Sequence, residues 1–290
     1  MRVKLITDST ACLSKEFYKQ EDIGIVESLL RLDDEYKRDI SDIDRKDILN
    51  RINERGFYTF SVQADPQDII KIIEDAISDG FEEIFYIGVS KKITDQFEIV
   101  KFVSDLYREK IKITLFQSGY MGSSQGGMVL IANKMLKLGK SVDEIIEILV
   151  TNKDKIKTMI ISESFKSLFK TGKIRKGIIF SPFVKYFGKY LRYKLIAEIN
   201  EDEGLISIEK ARGIRLAISK AIKIISKELS HDFEYDLLFS QAGCDKYYPI
   251  IEKKLKKQFN IKEVQFWEAS PIVIWAIGAK SIKFALIPHF

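Results

Sequence analysis

The sequence predicts a mixed α/β protein of two domains, 1–155 and 156–290. Three observations carry that expectation. Apolar runs of strand length alternate with segments of helical spacing through the first half, which argues a mostly parallel sheet flanked by helices. Composition changes near Lys153, and the second half opens with a hairpin signal, which argues a mixed sheet. An apolar fraction of 46% with 31% charged residues supplies both a core and a solvated surface.

In chain order, Val3–Thr7 is a short apolar run that stops at Asp8-Ser9-Thr10, a strand meeting a polar turn. Asp42–Arg55 carries Ile43, Ile48 and Ile52 at helical spacing and stops at Gly56, and Tyr58–Val62 is β-branched and aromatic. Pro66 stands at a first helical position, and Ile69, Ile70, Ile73 and Ile77 give one apolar face before Gly80. Ile84–Val89 reads as a buried strand, Thr94–Glu109 as a helix, Ile111–Phe116 as a strand and Ser124–Leu138 as a helix closed by Gly139. Ser141-Val142-Asp143-Glu144 is a capping box. Beyond the boundary, Lys194–Asn200 and Leu205–Ile208 are joined by Glu201-Asp202-Glu203-Gly204 as a hairpin, and a long helix is expected over Glu209–Leu229. Asp236–Ser240, a helix from Asp245, Val264–Glu268 and Ile282–Ile287 complete the second unit.

Composition excludes several classes. A net charge of +5 with this apolar content excludes disorder. The longest uncharged apolar run, Pro271–Ala279, is nine residues, against the ~20 a bilayer span needs. No secretory signal is visible, since Asp8 interrupts the first apolar stretch. Cys12 and Cys244 stand far apart and outside any C-x-x-C, so neither a zinc knuckle nor a disulfide framework is expected, and a cytoplasmic protein is. No metal or cofactor is expected.

Charge is unevenly spread: Thr151–Leu195 holds 12 Lys/Arg against two acidic residues. Such a block points to an anionic partner or to a solvated face. Catalytic constellations are thin. The two histidines, His231 and His289, have no orienting carboxylate in a strand-end pattern, and neither G-x-x-x-x-G-K-[ST] nor G-x-G-x-x-G occurs. The chain does not read as an enzyme acting alone. Small polar residues at strand ends are more informative, because ligands of open α/β sheets bind beyond the carboxyl ends of the strands. Asp8-Ser9-Thr10, Ser61-Val62-Gln63, Ser90 with Thr94, and Gln117-Ser118-Gly119 all stand at such ends. They serve either as helix caps or as a seat for a small polar or anionic head group.

These segments resemble the DegV family, the acyl-binding subunits that present fatty acids to a fatty acid kinase. ITDSTACL (Ile6–Leu13) is similar to the family's strand-end motif, and SVQADPQDI (Ser61–Ile69) to its T-S-Q-P-S-P-x-D-F, keeping Gln63, Pro66 and Asp68. SKKITDQFEIV (Ser90–Val100) resembles S-S-G-L-S-G-T-Y-Q-S-A, and LFKTGKIR (Leu168–Arg175) the L-K-K-G-G-R-I block. SQAGC (Ser240–Cys244) resembles S-H-A-G, and PIVIWAIGAK (Pro271–Lys280) the glycine-rich end motif. The resemblance implies a lipid tunnel between sheet and helices. It also implies carboxylate contacts from Ser61 and Thr94, supported by Gln63, Ser90 and Ser118. It further implies a bound fatty acid as the ligand, a kinase catalytic subunit as partner, and no catalysis by this chain.

Departures are as informative. Gln241 and Ala276 stand where the family has histidines, Asp65 where it has serine, Asp95 glycine, Gln117 aspartate, and Ala279-Lys280 a Pro-Gly pair. Extra acids near a carboxylate would oppose its binding, which leaves open a specialised lipid, a neutral or amine head group, or lost binding. FSPFVKYFGKYLRY (Phe180–Tyr193) reads as a basic aromatic amphipathic helix, with Lys185, Lys189 and Arg192 interleaved among Phe183, Val184, Phe187, Tyr190 and Leu191. It suits transient contact with an anionic membrane surface. Lys173 and Arg175 would extend the patch, and Arg212 resembles the family's arginine beside the kinase-docking surface. Two other classes share features with this chain: a protein using the 153–194 block on nucleic acid or an anionic surface, and a divergent phosphotransfer enzyme. No nucleic-acid motif accompanies the block, so no nucleic acid is expected.

Overall fold

A computed structural model describes residues 2–52, 54, 59–162, 193–200 and 204–290. The first sheet has four parallel strands in the order β2-β1-β6-β7: β1 Val3–Asp8, β2 Gly24–Val26, β6 Glu83–Gly88 and β7 Lys112–Gln117. Strand β6 is buried along its whole length, as a strand covered on both faces must be. Alternate residues of β1 point to opposite layers, Leu5 to one core and Ile6 to another. On the Ile6 side lie α3, Pro66–Ser78, and α4, Gln96–Asp105. They bury Ile69, Ile73, Ala76, Val100 and Val103 against Ile84 and Tyr86. A small antiparallel sheet, β4-β3-β5, flanks this layer: β3 Leu29–Leu32, β4 Glu35–Arg38 and β5 Ser61–Val62.

The second sheet has six strands in the order β10-β9-β8-β13-β11-β12. They are β8 Lys157–Ser162, β9 Tyr193–Asn200, β10 Gly204–Arg212, β11 Glu234–Ala242, β12 Asn260–Glu268 and β13 Ser281–Pro288. All pairs are antiparallel except β11 with β12. One face of this sheet buries Ile282, Phe284, Leu286, Tyr235, Leu237 and Phe239 under the helices Ile214–Glu228 and Tyr248–Leu255, α7 and α8.

Between the two sheets runs α5, Ser123–Lys137, with ten of its fifteen residues buried. It can lie there because Gly126 meets the Ala11 carbonyl and Gly127 meets Ile287, where a β-carbon would approach within 2.5 and 2.8 Å. One apolar core therefore includes residues of both sheets, Phe85 and Ile87 with Ala285 and Ile287. The apolar run of the end motif is α9, Pro271–Ile277, a helix buried on every side.

Several expectations change in detail. The helix expected over Glu209–Leu229 begins at Ile214, because Glu209–Arg212 continues β10 opposite β9 and Gly213, at φ +86°, breaks the chain direction. The Asp42–Arg55 helix is shorter, Arg45–Arg51 (α2), and starts where the Asp44 carboxylate accepts the Lys46 N–H. Strands β2, β3 and β4 and helix α1, Lys15–Gln20, carry no strong periodicity and were not expected. The capping box at Ser141 is present in full and opens α6, Val142–Thr151. No helix among the described residues is long and apolar enough to cross a membrane.

Candidate functional site

The carboxyl edge of the parallel sheet is held by one buried carboxylate. Strand β1 ends in Asp8, whose Oδ1 accepts the Thr10 N–H at 3.0 Å and the Thr10 hydroxyl. Its Oδ2 accepts the Val89 N–H at 2.7 Å and the Tyr86 hydroxyl at 3.2 Å. Burial raises the Asp8 pKa, and the hydrogen bonds from Thr10, Val89 and Gln125 oppose that shift. Thr10 Oγ1 also contacts Gln125 Oε1 at 2.8 Å, which ties α5 to the same knot.

Ser90 and Ser118 lie beside one another at the ends of β6 and β7. The Ser90 N–H donates to the Tyr120 carbonyl at 3.0 Å, and the Ser118 hydroxyl bonds both backbone groups of Tyr120. The Ser90 hydroxyl accepts the Lys92 N–H at 3.3 Å. Both hydroxyls are thus engaged in closing their own turns. Thr94, one turn on, donates its N–H to the Ser90 carbonyl.

Gln96, the first residue of α4, is the side chain that the sequence reasoning missed. It is fully buried, and its Oε1 accepts the Ala64 N–H at 2.8 Å and the Ser28 hydroxyl at 3.3 Å. That clamp holds the Ser61–Asp65 segment against the start of α4, so the second and third motifs are neighbours. Its Nε2 is buried without a hydrogen-bond partner among the described residues. A spare amide donor at a helix start has the capacity to meet a further acceptor. The available signal was an amide inside the SKKITDQF segment. Ser61, Gln63 and Thr94 are partly exposed, and their side chains make no hydrogen bond among the described residues.

The two acids of these motifs, Asp65 and Asp95, stand at the starts of α3 and α4. Both are exposed. Asp65 caps α3 through the Gln67 N–H at 2.9 Å, whereas Asp95 precedes α4 without a capping bond. The start of β10 approaches the loop that carries Thr94, since a β-carbon at Gly204 would lie 2.9 Å from the Lys92 Cβ.

Arg212 is the exposed last residue of β10, not a helix start, because the strand runs on to Gly213. Lys173, Arg175, Lys185, Lys189 and Arg192 lie outside the described residues. A cavity of about 10 Å³ under α3 and α4, lined by Ile6, Ile69, Ile73, Tyr86 and Val100, has room for one water and none for an acyl chain. No group of metal-ligating side chains occurs among the described residues.

A parallel sheet and a six-stranded mixed sheet sandwiching a glycine-bearing helix define a two-sheet α/β protein with polar loops gathered at one sheet edge. A family model described as "Uncharacterised protein, DegV family" matches residues 2–289, and the chain belongs to that family. A DegV domain-containing protein of Clostridium acetobutylicum is 26% identical over 261 residues, covering 89% of each chain. A DegV family protein of Thermus thermophilus, described as binding fatty acid, superposes with a TM-score of 0.86 at 17% identity over 100% of both chains. The fatty acid kinase B3 protein of Streptococcus pneumoniae, loaded with linoleic acid, superposes with a TM-score of 0.83 at 16% identity over 100% of both chains.

Proposed function

We propose that this protein binds a long-chain fatty acid between its 1–155 and 156–290 units and presents the carboxylate to a separate kinase subunit, without catalysis of its own. The observation that carries the reading is the Gln96 amide, unpartnered among the described residues, on the clamp that joins the Ser61–Asp65 segment to the start of α4, in a fold shared over its full length with fatty-acid-binding relatives. Ser61 and Thr94 supply hydroxyl donors to the carboxylate and Gln96 an amide donor. Gln63 lies beside them, and Ser90 and Ser118 hold the loop shape. Partial exposure of Ser61 and Thr94 suits a head group that must be reached by a partner.

The energetics are adequate. Burying about 15 methylenes at roughly 0.8 kcal/mol each supplies near 12 kcal/mol gross, before ordering and desolvation costs. Donors at the head group keep carboxylate burial from cancelling that gain. The basic residues Lys173, Arg175, Lys185, Lys189 and Arg192 would serve transient contact with an anionic membrane surface in the cytoplasm, and Arg212 the kinase contact.

The test is uptake of hexadecanoic acid by the purified full chain and by Ser61→Ala, Thr94→Val and Gln96→Leu variants, followed by calorimetry. Each variant is expected to weaken binding at least threefold. Unchanged affinity in all three would remove the head-group assignment.

A further inference from the structure

The face of the mixed sheet that looks toward α5 contains a fully buried lysine. Ser281, Ala285 and Ile287 share the parity of Lys283 along β13, and Ala285 and Ile287 belong to the inter-sheet core. Lys283 is 0% exposed, and its one hydrogen-bond acceptor among the described residues is the Met121 carbonyl. No described carboxylate pairs with it. The titratable group that acts on it is the Cys12 thiol, which burial pushes up to about 11 and keeps neutral. Burial lowers the Lys283 pKa to about 8, the response of an ammonium without a counter-charge.

Four further donors lie near it, along the chain from Gly122 and across the sheet. Gly122 precedes α5 at φ +66° with no side-chain cap, and a β-carbon there would collide with the Lys283 ammonium. The backbone N–H groups of Ser123 and Ser124 that open the helix have no acceptor among the described residues, and they carry the positive end of its dipole. Ser123 Oγ, on a residue 1% exposed, has no partner among the described residues. Ser240 stands directly across from Lys283 on β11 and its buried Oγ is also unpartnered. A cation, an uncapped helix start and two idle hydroxyls in one buried place are the complement of a carboxylate.

We propose that Lys283, Ser123, Ser240 and the amino end of α5 form a buried carboxylate seat, which receives a second acid group at the inner end of the acyl ligand. The inference rests on the fatty-acid reading above. It adds a ligand class, the long-chain α,ω-dicarboxylic acid, with one end at the partly exposed Ser61 and Thr94 and the other at the fully buried Lys283. Pairing neutralises the ammonium and satisfies the hydroxyls at one stroke, whereas a methyl end would leave all of them unmet.

The experiment titrates the full chain with hexadecanedioic and hexadecanoic acid, in wild type and in the Lys283→Met and Ser123→Ala variants. Wild type is expected to bind the diacid at least tenfold more tightly. Lys283→Met should lose that preference by tenfold while keeping hexadecanoate, and Ser123→Ala should lose about threefold on the diacid alone. Equal affinities in wild type, or an equal loss of both acids in Lys283→Met, overturn the seat while the fatty-acid reading stands. Acetate alone is the second probe, carrying the same chemistry without a chain. Stabilisation of wild type but not of Lys283→Met by acetate supports the seat even if neither long-chain acid binds, an outcome that removes the fatty-acid reading. No acetate effect together with no diacid preference removes the seat.

Discussion

Two buried polar centres lie within one helical turn of each other on α5 and are built in opposite ways. Around Gln125, the Asp8 carboxylate accepts four donors, and Thr10, Val89 and Tyr86 join it to three parts of the parallel sheet edge. Around Ser123, among the described residues, the Lys283 ammonium has one acceptor and the Ser123 and Ser240 hydroxyls have no partner. The first arrangement holds structure, since every bond it makes is internal. The second leaves donors over, which is costly in an interior unless something else meets them. Gln96 repeats the contrast inside one side chain, with its oxygen used twice by the fold and its nitrogen left over.

Mutation should separate the two centres. The largest effect is expected from Asp8→Ala, which strands the Val89 N–H and the Tyr86 and Thr10 groups in the interior and should cost about 3–5 kcal/mol in denaturant unfolding. A loss below about 1 kcal/mol would show that the knot is not structural. Lys283→Met should behave in the contrary sense and leave the unfolding midpoint unchanged or higher, by up to roughly 2 kcal/mol, because an unpaired buried cation is replaced by apolar volume. A destabilisation as large as that of Asp8→Ala would erase the distinction between the centres.

Asp39 provides a pH test. It is fully buried, with Oδ1 accepting the Ile272 N–H at 2.7 Å at the start of α9. Burial raises its pKa to about 7, partly opposed by the Ile272 N–H and the hydroxyls of Ser9 and Ser270. With the folded value above the unfolded one, the folded state holds the extra proton, so stability falls as pH rises from about 4 to 7. Asp39→Asn should remove that fall and melt higher than wild type at pH 8, by scanning calorimetry at pH 5 and 8. Parallel melting curves at both pH values would contradict the assignment.

The smallest effect belongs to His231. Its two ring nitrogens face the Gln258 carbonyl at 2.7 Å and the Ser226 carbonyl at 3.0 Å, and these acceptors raise its pKa above the ordinary 6.5. The contribution is complete below the unfolded pKa and is lost as pH rises through the folded one. His231→Gln should therefore lower the melting temperature at pH 6 and leave it nearly unchanged at pH 8.5. This is a helix-end histidine at work in the fold, stacked on Phe259, rather than a catalytic base.

Much of the framework is legible in the sequence itself. The 3.6-residue spacing of Ile69, Ile73 and Ile77 placed α3, and the local chemistry of Ser141 and Glu144 placed α6. Both signals are confined to a single turn or face. The end of β10, Glu209–Arg212, reads as the start of a helix in the sequence because its pairing with Tyr193–Ile196 resumes only after a bulge at Ser207–Glu209, which interrupts the alternation. Helix α9 is apolar all round and shows no period to read. The site was legible in its motif positions but not in its connections. Gln96 acquires meaning from Ala64 and Ser28, thirty-two and sixty-eight residues away. Lys283 did leave a trace, as the one charged residue at an inward position of the SIKFALIP strand, flanked in parity by Ser281 and Ala285.

The central claim, that this fold carries a fatty acid, is tested most directly by purifying the full chain, extracting it with organic solvent and identifying the extract by mass spectrometry. The account predicts one long-chain acid per protein molecule. A protein that yields no lipid and also takes up neither hexadecanoic nor hexadecanedioic acid would contradict it.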